Sequence, residues 1–185
     1  ISGSRDKYYD RINYETPELN YGIGVNMELN KNLSIEATLN PDFSQVESDA
    51  TKIDINSPTA INYPERRPFF NRGVDAMDYQ IDVFYSRSIN NPSFASKIIN
   101  QGKKSRLYVL SAFDNETPYL VPTKYESFSG VGGESFSNVI RYQNFINNQT
   151  KIGLLASNRL YEGDAYGNLY GLSLIHISEP TRHSI

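Results

Sequence analysis

The chain has 185 residues, with 18 Lys and Arg against 21 Asp and Glu, a formal net charge of −3, and neither cysteine nor tryptophan. The missing cysteines exclude disulfides, thiol nucleophiles and thiolate-bound zinc, and the weak negative charge gives nucleic acid no basic footprint to bind. No run of about 18 apolar residues offers a transmembrane helix, whereas 14 Tyr and 9 Phe within a chain that is 38% apolar suit a β-rich protein with aromatics at its interfaces.

Period-two alternation is the dominant pattern. Lys7 to Tyr14 is a short candidate strand, with Tyr8, Ile12 and Tyr14 on one face. From Tyr21 to Leu29 the apolar set Tyr21, Ile23, Val25, Met27 and Leu29 alternates with Gly22, Gly24, Asn26 and Glu28. After Asn30-Lys31-Asn32 the pattern resumes as Leu33, Ile35, Ala37 and Leu39 against Ser34, Glu36 and Thr38. Two alternating runs around a short Asn-containing turn predict a hairpin.

Asn40 to Phe70 breaks that regularity. It holds four aromatics and eight formal charges around Pro41, Pro58, Pro64 and Pro68. Each proline removes a backbone donor and pushes its predecessor extended, so no helix runs through it. A long mixed-charge segment between strands reads as a packed, structured insert.

Further strands are predicted at Gln80 to Arg87, Ser105 to Phe113, Ser137 to Phe145 and Lys151 to Arg159. Turns fall at Asn90-Asn91-Pro92, at Asn100 to Lys104 and near Gln149-Thr150, and Asp114 to Glu134 reads as a long loop. From Leu172 to Arg182 the chain reads as a translated transposon-type sequencing-library adapter, so residues 172–185 are expected to be an artefact outside the fold. Setting them aside removes both histidines, His176 and His183, and with them any Ser-His-Asp triad. Residues 1–171 are expected to be an internal piece of a longer protein.

Chemistry must then rest on carboxylates, Lys, Tyr or Ser. Asp42, Glu47, Asp49 and Asp54 form an acidic cluster whose spacing is not that of an EF-hand. They read either as a calcium loop or as partners of Arg66, Arg67 and Arg72. Glu47 with Asp49, or Glu65 with Asp75, are the carboxylate pairs a glycosidase would need. Gly130-Val131-Gly132-Gly133 lacks the Lys-Ser/Thr of a phosphate loop. Asn115-Glu116-Thr117 has the form of a glycosylation sequon. Phe69-Phe70 reads as a ligand platform or as local packing. No catalytic residue, metal or cofactor is assigned.

The insert also carries a resemblance. Asn40-Pro41-Asp42-Phe43-Ser44-Gln45-Val46-Glu47-Ser48-Asp49, then Pro64-Glu65-Arg66-Arg67-Pro68-Phe69-Phe70-Asn71-Arg72-Gly73, then Tyr85-Ser86-Arg87-Ser88-Ile89, are similar to the "NPDF.Q.E.D", "FPE.RPFF..G" and "YSR.I" elements of the domain-of-unknown-function 5916 family of Gram-negative bacteria. The match is specific over Tyr21 to Ile89, with Tyr63 where Phe is commoner. The resemblance implies a bacterial outer-membrane β-barrel, often preceded in the family by a family-9 carbohydrate-binding-like module absent from this chain. It transfers no catalytic residue. Alternation of this kind also fits a soluble sheet with one wet face, so it is the resemblance that points to the membrane.

The expectation is an all-β chain of antiparallel strands from a partial outer-membrane-type barrel, with residues 40–73 as the Pro-punctuated signature insert. Outer-membrane lipid and the outer-membrane assembly machinery are the expected partners, with carbohydrate a further one and no nucleic acid. The function expected is binding or passage of a nutrient or polymer. A soluble β-sandwich carbohydrate-binding module and a carboxylate-dependent glycoside hydrolase are the alternatives.

Overall fold

The computed structural model describes residues 3–5, 12–14, 21–41, 65–77, 84–122 and 127–176. In chain order the strands are β1 (Gly3–Arg5), β2 (Ile12–Tyr14), β3 (Ile23–Glu28), β4 (Leu33–Leu39), β5 (Pro92–Gln101), β6 (Ser105–Asp114), β7 (Pro118–Pro122), β8 (Ser127–Val131), β9 (Ser135–Phe145), β10 (Thr150–Tyr161) and β11 (Tyr166–His176). One helical turn, α1 (Pro68–Asn71), and two 3-10 turns, Val74–Met77 and Ser86–Ser88, complete them. Seven strands make one antiparallel sheet in the order β3-β4-β5-β6-β9-β10-β11; β1 pairs with β2 and β7 with β8. The large sheet is open, with β3 and β11 as its edges. No helix among the described residues is long and apolar enough to cross a membrane.

The strands differ from the sequence reading in four places. Where Gln80 to Arg87 was expected as a strand, Ser86–Ser88 forms a 3-10 turn, its neighbours' backbone groups being bonded by side chains rather than by a ladder. β5 begins at Pro92, a position open to proline because the first residue of a strand need not donate. Its mixed faces, Phe94/Ser96/Ile98 against Ala95/Lys97/Ile99, hide it from an apolar-polar count. The expected loop after Asp114 contains the β7–β8 hairpin. β11 was not expected, and it continues past Gly171 into the segment read as adapter. Of Lys7 to Tyr14, only β2 lies within the described residues, and Gln80 to Val83 lie outside them.

Register separates the two faces of the sheet. On one face the cross-strand rows are Leu39–Phe94–Phe113–Phe136–Leu160 and Ile35–Ile98–Val109–Ile140–Ala156. Between them runs a polar row, Ser96–Ser111–Asn138–Asn158–Asn168, on which Ser111 Oγ donates to Asn138 Oδ1 at 2.8 Å and Asn158 Nδ2 to Asn168 Oδ1 at 2.6 Å. No Asp, Glu, Lys or Arg projects from any strand on this face, yet Ile23, Val25, Ile140 and Leu154 lie exposed on it. The opposite face carries Glu28, Glu36, Lys97, Arg106, Asp114, Arg141, Lys151 and Arg159, and it is the covered one.

Residues 65–77 and 84–91 lie over that charged face. Phe70, Ala76 and Ile89 pack on Ala95, Ile99, Tyr108, Leu110, Ala112, Val139 and Leu155 to make the core. Two backbone devices steer the cover. Asn40, at the end of β4, adopts φ +43°, a conformation Asn tolerates better than most residues. It bonds across the sheet edge, its N–H donating to Ser93 O at 2.7 Å and its Nδ2 to Tyr21 O at 3.1 Å. Gly73, after α1, has φ +77°, and a Cβ there would lie 2.4 Å from Ile99 Cδ1. In the folded full-length protein, Gly73→Ala should cost about 1–2 kcal/mol through the left-handed backbone alone. Ile99→Val deletes the clashing Cδ1, so a double-mutant cycle read by urea unfolding should give a favourable coupling between the two changes.

Candidate functional site

Charges withdrawn from water cost several kcal/mol each unless they are paired. Whatever covers this face must therefore bring partners, and three polar anchors hold the cover to itself and to the sheet.

The first is Lys97, whose side chain is wholly buried. Its Nζ donates to Phe69 O and, at 2.8 Å, to Arg72 O, and lies 3.2 Å from Glu36 Oε2. An ammonium has three protons and here finds three acceptors. Two of them are carbonyls at the end of α1, groups that a helix terminus leaves without internal partners. Glu36 also meets Arg72 Nη1 at 3.0 Å. The Arg72–Glu28 contact, at 3.4 Å between exposed groups, adds little beside this buried set.

The second anchor is the Glu65–Arg67 pair. Arg67 grips the carboxylate with Nε on Oε1 at 2.9 Å and Nη2 on Oε2 at 2.8 Å, the planar two-bond geometry guanidinium favours. The remaining Arg67 donors reach Ile89 O at 2.6 Å and Ser86 O at 3.0 Å. Glu65 in turn accepts from its neighbours' N–H groups, those of Arg66 (3.0 Å) and Arg67 (2.9 Å), and from Ser86 Oγ at 2.6 Å. Burial pushes the Glu65 carboxyl up, but the bonds from Arg67 and Ser86 outweigh it and hold the group below its ordinary value. This pair ties residues 65–70 to residues 84–89.

The third anchor joins that second segment to the sheet. Asp114 accepts from Asn90 N at 2.8 Å and Asn91 N at 2.7 Å, and Arg159 Nη2 lies 3.3 Å from it. Arg159 also donates to Ser88 O at 2.8 Å and to Ser135 Oγ at 3.1 Å. The aromatic pair completes the set. Phe69 and Phe70 meet edge to face at 5.1 Å, with the Lys97 ammonium 4.7 Å from one ring centre and the Arg67 guanidinium 4.2 Å from the other.

The structure brings Glu65, Arg67, Pro68, Phe69, Phe70 and Gly73 of the signature together on the covered face. Pro68 is the first residue of α1, where its missing N–H costs nothing. Arg66, exposed beside them, contributes its backbone N–H to Glu65. Asn40 and Pro41 mark the exit from β4. Asp42, Phe43, Gln45, Glu47, Asp49 and Pro64 lie outside the described residues, as does Asp54 of the acidic cluster. Among the described residues, Arg67 pairs with Glu65, and Arg72 with Glu28 and Glu36. Asp75 accepts from Gln101 Nε2 at 2.9 Å and does not pair with Glu65. Described residues contain no group of three or more His, Cys, Asp or Glu able to hold a metal.

Sequence reading did not single out Lys97, Asp114 or Arg159, and it placed Ser86 in the "YSR.I" element without a partner. A lysine between Ala95 and Ile99 was the available signal, since an ammonium on a buried strand face requires acceptors from elsewhere.

What these elements define is an all-β chain with an open antiparallel sheet, one charge-free face, and a charged face sealed by a signature-bearing cover. The chain belongs to the family described as Domain of unknown function (DUF5916), whose model matches residues 3–111, from β1 into β6. Comparisons with curated proteins and with solved structures give no match.

Glu65→Gln would leave Arg67 buried without its counter-charge, at a cost of about 3–5 kcal/mol. Because the folded Glu65 value lies below the unfolded one, the pair's contribution is complete above the ordinary carboxylate value. It is lost as pH falls through the lower folded value. Urea unfolding of the full-length protein across pH 3–7 should therefore converge for wild type and Glu65→Gln at the acid end and diverge toward neutrality.

Proposed function

We propose that this chain is part of the wall of a bacterial outer-membrane β-barrel, with its charge-free face against lipid and its covered face toward the lumen. The observation that carries the reading is the reversed polarity of the sheet. An open sheet in water keeps charge on its exposed face and apolar side chains beneath; here the exposed face has no charge, and all eight charged strand residues lie on the covered face, with Glu36, Lys97, Asp114 and Arg141 buried there. Strands β5, β6, β9 and β10, of 10, 10, 11 and 12 residues, match the length a tilted strand needs to cross the hydrocarbon. The row Phe94–Phe113–Phe136 supplies aromatics near one end of the apolar face, as in a barrel girdle. The Ser/Asn row is compatible with an apolar surround because its amides bond to one another across strands.

On this reading residues 65–77 and 84–91 line or narrow the lumen, and the protein binds or passes a nutrient or polymer, carbohydrate among the candidates. The carboxylate-hydrolase alternative is weakened by Glu65, whose oxygens already accept five hydrogen bonds within the protein.

Full-length protein refolded into phosphatidylcholine vesicles tests the reading. Ile140→Arg, on the apolar face, should cost about 2–4 kcal/mol if that position lies near the midplane, whereas Ile140→Ala should cost far less. Monodisperse folding of the full-length protein without detergent, with Ile140→Arg tolerated, would favour the β-sandwich instead. For the lumen, deleting Asp42 to Pro68 should raise single-channel conductance in planar bilayers. A folded barrel of unchanged conductance removes the plug.

A further inference from the structure

The connections at the two ends of the sheet differ in length and in charge. One rim holds the short turns, Leu29–Asn32, Gly102–Lys104 and Ile146–Gln149. The turns are bonded strand to strand, Gln101 N donating to Asn32 O at 2.8 Å and Phe145 N to Lys104 O at 2.9 Å. Their charged residues are Lys31, Lys103 and Lys104, all exposed, with no acid among them. At the opposite rim, the connections at 115–117, 132–134 and 162–165 carry Glu116, Glu134, Glu162 and Asp164, all exposed, and no base.

From this polarity we propose that the short-turn rim is a contact surface for anionic phospholipid headgroups, made by Lys31, Lys103 and Lys104. The proposal rests on the bilayer reading above and deepens it. Three observations favour this occupant. Lys103 and Lys104 stand one or two residues beyond the ends of β5 and β6, whose length matches the hydrocarbon, which puts them at headgroup level, and Lys31 lies in the neighbouring β3–β4 turn at the same rim. They adjoin the same apolar face that meets lipid. Their charge is unopposed within their own turns, whereas Glu28 nearby faces the covered side and meets Arg72. Flexible ammonium stems at a membrane edge extend toward the phosphates, leaving their methylenes against the acyl boundary. Each such cation contributes roughly a fivefold preference for an anionic surface, and screening by salt reduces it.

The test uses full-length protein in phosphatidylcholine vesicles doped with spin-labelled phosphatidylglycerol or spin-labelled phosphatidylcholine. The protein-immobilised fraction of each label gives the relative association. Wild type should favour phosphatidylglycerol at low salt, and the preference should fall as salt rises. The triple variant Lys31→Gln, Lys103→Gln, Lys104→Gln should lose roughly fivefold or more of it, and the corresponding arginine triple should keep it. Equal association of both labels with wild type, or an unchanged preference in the glutamine triple, overturns the headgroup contact and leaves the barrel reading standing. Failure of wild type to enter the vesicles overturns both.

Discussion

An ammonium buried beneath a β-sheet must find three acceptors or lose its charge, and Lys97 is where this fold meets that constraint. Its acceptors come from three places: Glu36 on the neighbouring strand, the carbonyl of Phe69 within α1 and that of Arg72 at its C-terminal cap. A cover that left the sheet would strand both the ammonium and the helix-end carbonyls. The position of α1, the sharp left-handed turn at Gly73 and the close approach to Ile99 all follow from bringing those carbonyls within reach. The Glu65–Arg67 pair extends the same logic to residues 84–89, and Asp114 with Arg159 returns that segment to the sheet.

The result is a sheet with its chemistry turned inside out. Its charged strand residues share the covered face, where Lys97, Asp114 and Arg159 meet backbone partners, and its free face carries apolar and uncharged polar side chains, with Ser111 bonded to Asn138 and Asn158 to Asn168. Pairing by backbone carbonyls matters here, because a buried ion pair alone seldom recovers what both ions lose on leaving water. Arg67 illustrates the difference: it serves Glu65, two carbonyls and the face of Phe70 at once. Among the signature residues described, Glu65, Arg67, Pro68, Phe69, Phe70 and Gly73 are thus explained by what holds the cover down.

How much of this was legible in the sequence varies by element. β3 and β4 stood out because one face of each is consistently apolar, and β6, β9 and β10 because apolar residues recur at alternate positions interrupted by Ser111, Asn138 and Asn158. β5 did not, since a buried lysine and small polar residues occupy positions that a pattern reader assigns to neither face. Gln80 to Arg87 resembled a strand, but from Ser86 to Ile89 the carbonyls that a ladder would use accept from Arg67 and Arg159, and the N–H groups of Ser88 and Ile89 bond back to Tyr85 and Ser86. Glu65 and Arg67 were visible as charges with uncertain partners; their partnership with each other depends on a bend that spacing alone does not reveal.

By itself, the sequence determined the β class, the hairpin at Asn30 to Asn32, the interruption after Asn40 and the family, because alternation, turn chemistry and a local motif are all short-range properties. Only the tertiary structure decided which face is covered, which carbonyls Lys97 meets and how residues 84–91 are held. Those are contacts between residues 22 to 71 apart in the chain, and they depend on strand order and register, which local patterns constrain but do not specify.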